Sequence, residues 1–450
     1  MKGWRTALVA VSLLSSVSGA AWGAPVLLIA IDGLRPVDVR EAKDKKINIP
    51  HLRRFMDEGS SASGVQGVLP TVTYPSHTTL LTGAAPARHG IVSNTSFDPL
   101  QINQTGWFWY GSDIKRDTLW DAAVKVGLST ANVHWPVSVG VRSIRWNLPQ
   151  IWRTGHEDDA KLLNALATPK LLTELTANGA PYAAGIDESI EADENRAQFA
   201  VNLIGKHQPE FMTVYLTALD HEQHLEGPAS PAAYKVLERI DVLVGKLVAA
   251  QMEAHPDAVI AIASDHGFAA LDTEVNLFRA FIDAGLITVD AQNKVTSWRA
   301  MPWPSGGSAA IILADANDPK LEQQVASLLG ELKKNPELKI DRILTQSEIQ
   351  AKGGNPDAKF YIGFKLGAGA GGYKGANAPL ISKASYRGTH GYFADESAMR
   401  SSFMIMGPDI RKGHDLGIID MRSIAPTIAQ ILGASLPKAE AVSLDVAVSP

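Results

Sequence analysis

The chain has no cysteine in 450 residues, which excludes disulfides and any anchor attached through a lipid-modified cysteine. It is also poor in charge. Charged residues make up 20% of the chain, and 47 acidic residues against 42 basic ones leave a formal charge of −5. Such a balance argues against a general binder of nucleic-acid backbones, which needs a surplus of lysine and arginine. Long apolar runs are missing where a membrane span would need one: at the amino terminus, Lys2 and Arg5 precede an apolar stretch over residues 6–14, too short to cross a bilayer. Followed by small residues up to Ala24, it has the layout of a secretory signal. Residues 1–24 are therefore expected to be a leader and residues 25–450 the mature domain, periplasmic or secreted, with no stable membrane anchor. What remains is 45% hydrophobic, ample for a large core.

Apolar, β-branched runs at residues 26–31, 211–216 and 259–263 have the composition of strands buried on both faces. Amphipathic spacing at residues 50–58, 117–126, 231–252, 318–334 and 420–432 predicts helices between and after them. Strands alternating with helices give an α/β class, a doubly wound, mostly parallel sheet sandwiched by helices. The stretch from His266 to His390 is too long for a loop, and a small inserted subdomain is expected over roughly 271–385.

Each apolar run delivers an acidic residue just past its carboxyl end, where open α/β sheets bind ligands. Asp32 follows the first in Asp32-Gly33-Leu34-Arg35-Pro36, Asp220 and His224 follow the second, and Asp265 and His266 follow the third. His390 lies in Gly388-Thr389-His390-Gly391. Singly, such fragments are turns or helix patterns that many proteins carry without metal. Together, three carboxylates and three imidazoles suit two Zn²⁺-type sites better than Mg²⁺ or Ca²⁺, which prefer all-oxygen shells. Thr73, two residues before Pro75, supplies a hydroxyl where a helix would begin. Two metals and an alcohol nucleophile point to in-line displacement at phosphorus.

The run from Thr73 to Asn94, Thr-Tyr-Pro-Ser-His-Thr-Thr-Leu-Leu-Thr-Gly-Ala-Ala-Pro-Ala-Arg-His-Gly-Ile-Val-Ser-Asn, resembles the ectonucleotide pyrophosphatase/phosphodiesterase family of the alkaline phosphatase superfamily. The Asp-Gly-Leu-Arg-Pro, Ser-Asp-His-Gly and Thr-His-Gly-Tyr segments match it in the same order. The resemblance implies an alkaline phosphatase-like fold and two Zn²⁺ ions. It implies that Asp220, His224 and His390 hold the metal that activates water. Asp32, Asp265 and His266 would hold the second, which also contacts the Thr73 oxygen. It assigns Thr73 as nucleophile and Asn94 as donor to a phosphate oxygen. Tyr74 and Trp135, the latter in Val133-His134-Trp135-Pro136, fall where relatives line a nucleobase slot, and Trp107, Trp109 and Tyr110 form a further aromatic cluster. Ser76 and Val72 depart from the asparagine and lysine common in the family, which touches substrate details and not the metal set.

Other features are discounted. His77 and His89 fall at positions the family uses structurally, His221 is out of register with His224, and nothing marks Glu222 as a general base. The glycine run 367–372 has a dinucleotide-fingerprint spacing but is followed by Lys374, Gly375 and Pro379 instead of a helix, which makes it a flexible loop. The expected function is an exported two-zinc hydrolase of nucleotide pyrophosphate or phosphodiester bonds, acting on a small molecule through a phosphothreonine and releasing a nucleoside 5′-monophosphate. A choline or glycerol head-group phosphodiesterase, a phosphomonoesterase and a catalytically silent metal-dependent binding protein are the alternatives. A sulfatase is excluded, because that branch needs cysteine or serine where Thr73 stands.

Overall fold

The computed structural model describes residues 23–446 apart from 101, 103–105, 153–155, 177–180 and 186; most of the expected leader, residues 1–22, lies outside the described residues. The three apolar runs are the centre of an eight-stranded sheet. Val26–Ile31 lies between Phe211–Leu216 and Val259–Ala263, parallel to both. Thr130–Val133 and Trp146–Leu148 extend the parallel sheet on the Phe211–Leu216 side. Phe403–Met406 joins Val259–Ala263 antiparallel on the other side. The central strands are buried throughout, because helices and loops cover both faces. One core packs Ile29 and Ile31 against Leu237, Ile240 and Val244 of the long helix Pro231–Ala254. The opposite core packs Leu28 and Ala30 with Trp120, Trp135 and Ile428.

Helix boundaries follow their capping groups. Pro50–Glu58 and Pro231–Ala254 each begin on proline, and the second is capped by Ser230. The helix expected over 117–126 starts later, at Leu119, because Thr118 and Asp121 form a reciprocal capping box there. The one expected over 318–334 is Pro319–Lys334, with the Asp318 carboxylate accepting from the Lys320 and Leu321 N–H groups. The one expected over 420–432 is Ile424–Ile431, since Asp420 instead caps a short 3₁₀ turn.

Between His266 and His390 the chain builds its own layer. Ala300–Pro304, Ser308–Leu313, Ala358–Phe364 and Ile340–Thr345 form an antiparallel sheet in that order. Its apolar side packs on Leu321, Val325 and Leu329 of Pro319–Lys334 and on Phe281. The first four residues of the glycine run are not a loop. Gly367–Ala370 is a strand parallel to Ala269–Val275, and a Cβ at residue 369 would lie a tight 3.0 Å from the Gly306 carbonyl oxygen. The same strand Ala269–Val275 pairs with Gly388–Thr389, in the register Ala269↔Thr389 and Ala270↔Gly388. That pairing carries His390 back to His266, and the two imidazoles stack with centroids 3.6 Å apart.

Candidate metal centre and nucleophile site

Register places the acidic residues together. Ile31 pairs with Leu216 and Ala30 with Ala263, so the three strands end level and their following residues share one edge. Asp220 and His224 lie one turn apart on helix Ala218–Glu226, on the same face. The described residues contain two compact groups that could each hold a cation, Asp32 with Asp265 and His266, and Asp220 with His224 and His390. His266 Nε2 lies 3.3 Å from Asp32 Oδ1 and 3.1 Å from Asp265 Oδ2. His224 Nε2 is 3.4 Å and His390 Nε2 3.7 Å from Asp220 oxygens. Asp220 joins the groups, with Oδ1 4.0 Å from His266 Nε2.

The imidazoles are oriented by backbone carbonyls. The Nδ1–H groups of His224, His266 and His390 face the carbonyl oxygens of Gly388, Gly267 and Thr71 at 2.9, 3.1 and 3.1 Å. This leaves each Nε2 lone pair for the cluster, the arrangement metal-binding histidines use. Burial pushes the Asp32 carboxyl well up, helped by the charges of Asp220 and Asp265; burial and then Glu188 do the same to Asp220, and burial raises Asp265. Burial lowers all three histidines, His224 to about 4 and His390 to about 3. Asp32 Oδ1, Asp220 Oδ1, Asp265 Oδ2 and His266 Nε2 are buried with no hydrogen-bond partner among the described residues. Leaving such atoms unpaired is costly. Buried carboxylates beside neutral imidazole lone pairs are a donor set that divalent cations satisfy.

Thr73 opens the fully buried helix Thr73–Thr82. Val72, at the cap position, offers no side-chain acceptor. Asn94 takes that part from a distance: its Oδ1 accepts the Tyr74 N–H at 2.8 Å. With the oxygen turned to that N–H, the NH₂ is the group of Asn94 that can donate to a ligand. Thr73, Asn94, Asp32, Asp220, His224 and His390 all line one cavity of about 290 Å³. Its aromatic end is formed by Tyr74, Trp107 and Trp152, with Trp107 5.2 Å from Tyr74 and 5.3 Å from Trp152 between ring centroids.

Trp135 does not line this cavity, contrary to expectation. It is fully buried in the core beneath the sheet, edge-on to His77 at 4.9 Å and to Trp120 at 6.5 Å. The backbone accounts for this: the Trp135 N–H donates to Asn132 Oδ1 and its carbonyl accepts from Ser138 Oγ, turning the chain inward. Of the second aromatic cluster only Trp107 reaches the cavity. His77 is buried with Nδ1 on the Thr73 carbonyl at 2.9 Å, and His89 contacts the Thr79 hydroxyl; burial holds both near a pKa of about 3. His221 also lines the cavity and pairs with Glu188 at 3.4 Å.

Sequence reasoning passed over several supporting groups. The Tyr215 hydroxyl donates to Asp32 Oδ2; a tyrosine in an otherwise apolar buried strand needs such a partner, and that was the available signal. Gln150 Oε1 accepts from the Tyr74 hydroxyl at 2.7 Å. Asp193 accepts the N–H groups of Thr217 and Ala218, both at 2.8 Å, at the start of the helix that carries Asp220 and His224. It also pairs with the fully buried Arg196. Asp193→Ala would strip a buried guanidinium of its counter-charge, leaving it only the Thr217 hydroxyl and the Asp187 carbonyl as acceptors, and would unpair two backbone donors, so a loss of about 3–5 kcal/mol is expected. Urea unfolding midpoints of the variant and wild type measure it, and an unchanged midpoint would contradict it.

A sheet with carboxylates and imidazoles gathered at its carboxyl edge is a layout used by metal-dependent hydrolases. Residues 26–357 match the family model for type I phosphodiesterase/nucleotide pyrophosphatase. The chain belongs to that family, within the alkaline phosphatase superfamily. Ectonucleotide pyrophosphatase/phosphodiesterase family member 3 of Rattus norvegicus is 24% identical over 255 residues, 54% of this chain and 25% of that protein. Family member 1 of Homo sapiens is 25% identical over 254 residues, 54% of this chain and 23% of that protein. A venom phosphodiesterase of Naja atra is 24% identical over 255 residues, 55% of this chain and 26% of that protein. The matched stretch thus spans about a quarter of these relatives. Murine ectonucleotide pyrophosphatase/phosphodiesterase 5 shares the fold, with a TM-score of 0.64 at 19% identity over 94% of this chain and 97% of that one. The human protein of that name gives 0.64 at 20% identity over 91% and 95%.

Proposed function

We propose that this chain is an exported two-zinc phosphodiesterase that cleaves nucleotide pyrophosphate or phosphodiester bonds and releases a nucleoside 5′-monophosphate. The observation that carries the reading is the single cavity in which a hydroxyl at a helix start, a side-chain amide and buried, unpartnered ligand atoms meet. Thr73 Oγ1 attacks phosphorus, the bond to the leaving oxygen breaks, and water later hydrolyses the phosphothreonine. Asn94 donates to a non-bridging phosphate oxygen; a neutral amide suits a diester better than the doubly charged monoester. Asp220, His224 and His390 would hold one Zn²⁺ and Asp32, Asp265 and His266 the other, supplying Lewis acidity that favours the Thr73 alkoxide and offsets phosphate charge. Tyr74, Trp107 and Trp152 give faces for a nucleobase. The murine neighbour has also been solved, in an inactive form, in complex with AMP.

One observation favours a second reading. Aromatic rings beside the Glu188 carboxylate are also what a quaternary ammonium needs, which would make choline diesters the substrates. Purified zinc enzyme assayed on ATP, a dinucleoside polyphosphate, glycerophosphocholine and an aryl monoester separates the two. Nucleotide diesters or anhydrides are expected to lead; faster turnover of glycerophosphocholine than of every nucleotide refutes the first reading.

Export is the proposal made for the leader. Among the described residues no helix is long and apolar enough to cross a membrane. Protein recovered from periplasm or medium is expected to begin between about residues 20 and 25. Intact mass settles the point, and retention of Met1 would refute it.

A further inference from the structure

The cavity at Thr73 does not end at the metal-binding groups. A hollow of about 440 Å³ adjoins it, sharing Asn94, His224, Tyr386 and His390 as lining residues. This hollow in turn shares Thr95, Pro304 and Gly372 with another of about 480 Å³. The three adjoin one another in a row, a trench leading from the cavity at Thr73 away from the Trp107 and Trp152 end and along the segment inserted between His266 and His390.

The chemistry of its walls changes along the way. Midway, Glu274 and Lys374 face each other at 2.6 Å, the carboxylate largely buried and the ammonium half exposed. The glycine run makes room for this pair, because a Cβ on residue 371 would lie 2.0 Å from Glu274 Oε1. At the far end the walls are rings. Phe97, Trp303 and Tyr373 are partly exposed and Phe278 is buried beside them. Phe97 and Trp303 lie 5.2 Å apart and Phe278 and Tyr373 5.5 Å apart between centroids.

A furrow between two packed layers would account for an empty cleft. It would not account for partly exposed aromatic rings at one end of a channel whose other end opens at the attacking hydroxyl. Among the described lining residues a polyanion such as pyrophosphate would find one lysine or arginine, Lys374, already paired with Glu274. A leaving group with one phosphoryl charge and a planar end matches both parts.

Resting on the diester reading above, we infer that this trench is the leaving-group subsite. Lys374 lies against the departing phosphoryl group, and Phe97 and Trp303 stack on an aromatic ring at its distal end. The residues that select the leaving group are therefore in the inserted segment and the 95–99 strip, apart from those that hold the retained nucleotide.

The probes are diadenosine diphosphate and ADP. Both place adenosine monophosphate at the retained end and differ in whether the leaving phosphate carries a nucleoside. Wild-type kcat/KM is expected to be higher for diadenosine diphosphate. Trp303→Ala and Phe97→Ala should each lower the ratio of the two kcat/KM values about tenfold, the usual effect of losing one stacking partner. Melting temperatures of the variants, with the ratio as internal control, separate this from loss of fold. Glu274→Gln, which leaves Lys374 unopposed, should raise kcat/KM for ADP several-fold, and Lys374→Met should lower it, since an anion near the pair feels both charges. Unchanged ratios in both aromatic variants, or Glu274→Gln and Lys374→Met moving ADP turnover in the same direction, overturn the inference while nucleotide hydrolysis stands. Hydrolysis of neither nucleotide by wild type overturns it together with the nucleotide reading.

Discussion

Thr73→Ala is expected to cost about 10⁴-fold or more in kcat, the scale seen when a covalent nucleophile is removed, with little change in folding. The side chain sits at the first position of its helix and lines the cavity. The neighbouring groups are held by the backbone and not by the hydroxyl: His77 by the Thr73 carbonyl and Asn94 by the Tyr74 N–H. The variant therefore keeps the orientation of the amide and of the candidate ligand groups while losing the hydroxyl proposed to attack. Thr73→Ser restores a hydroxyl and should recover much of the rate, though without the methyl group its rotamer is less restricted. Asn94→Ala is a different deletion. It removes the proposed donor to a phosphate oxygen, whose bond would strengthen as charge develops, for an expected loss on the order of 10²–10³, and it also frees the Tyr74 N–H at the helix start. Rapid quenching of wild type with a phosphorus-labelled substrate should leave label on Thr73, located by peptide mass. Wild-type turnover by Thr73→Ala would end the phosphothreonine mechanism and leave direct attack by water.

The positions of these groups were legible to different degrees, for physical reasons. Strand ends could be read because continuous β-branched runs signal burial on both faces, and in an open α/β sheet their carboxyl ends are where ligands gather. That places Asp32, Asp220 and Asp265 on one edge from sequence alone. His390 was legible only as a motif. Its approach to His266 depends on the pairing of Ala269–Val275 with Gly388–Thr389, a contact across more than a hundred residues that no local pattern encodes. Trp135 shows the limit of a residue-by-residue resemblance. None of residues 133–136 lines the cavity: the Asn132 and Ser138 hydrogen bonds accompany an indole turned into the core, and Trp152 lines the cavity. The glycine run misled in the other direction. Its glycines permit close backbone approach inside a sheet and beside a carboxylate, not a loop, and spacing alone cannot distinguish these uses. Asp193 and Arg196 carried no signal at all, since an acidic and a basic residue three apart on a helix are usually a solvated pair.

Removing metal should abolish activity and soften the fold together, because the same buried atoms serve both. Asp32 Oδ1, Asp220 Oδ1, Asp265 Oδ2 and His266 Nε2 are buried with no hydrogen-bond partner among the described residues, and burial raises the three carboxyl groups. A cation bound only to the folded state adds stability of RT ln(1 + [M]/Kd), about 4 kcal/mol at a thousandfold excess over Kd. Chelation is therefore expected to lower the melting temperature by several degrees and turnover to background. Zn²⁺ should restore both more fully than Mg²⁺, because imidazole nitrogen favours the borderline-soft ion. Single variants should divide the loss. Asp265→Asn weakens the group that includes Asp32 and His266, and His390→Ala the group that includes Asp220 and His224. Each is expected to reduce bound zinc from about two equivalents toward one, measured by elemental analysis after dialysis against a weak chelator. Asp220→Asn should cost most, since its oxygens face both groups, within 4.0 Å of His266 as well as near His224 and His390. Metal content tests the ligand assignment independently of any substrate. Two equivalents retained by Asp220→Asn, or full activity in protein shown to be metal-free, would overturn the assignment of these side chains.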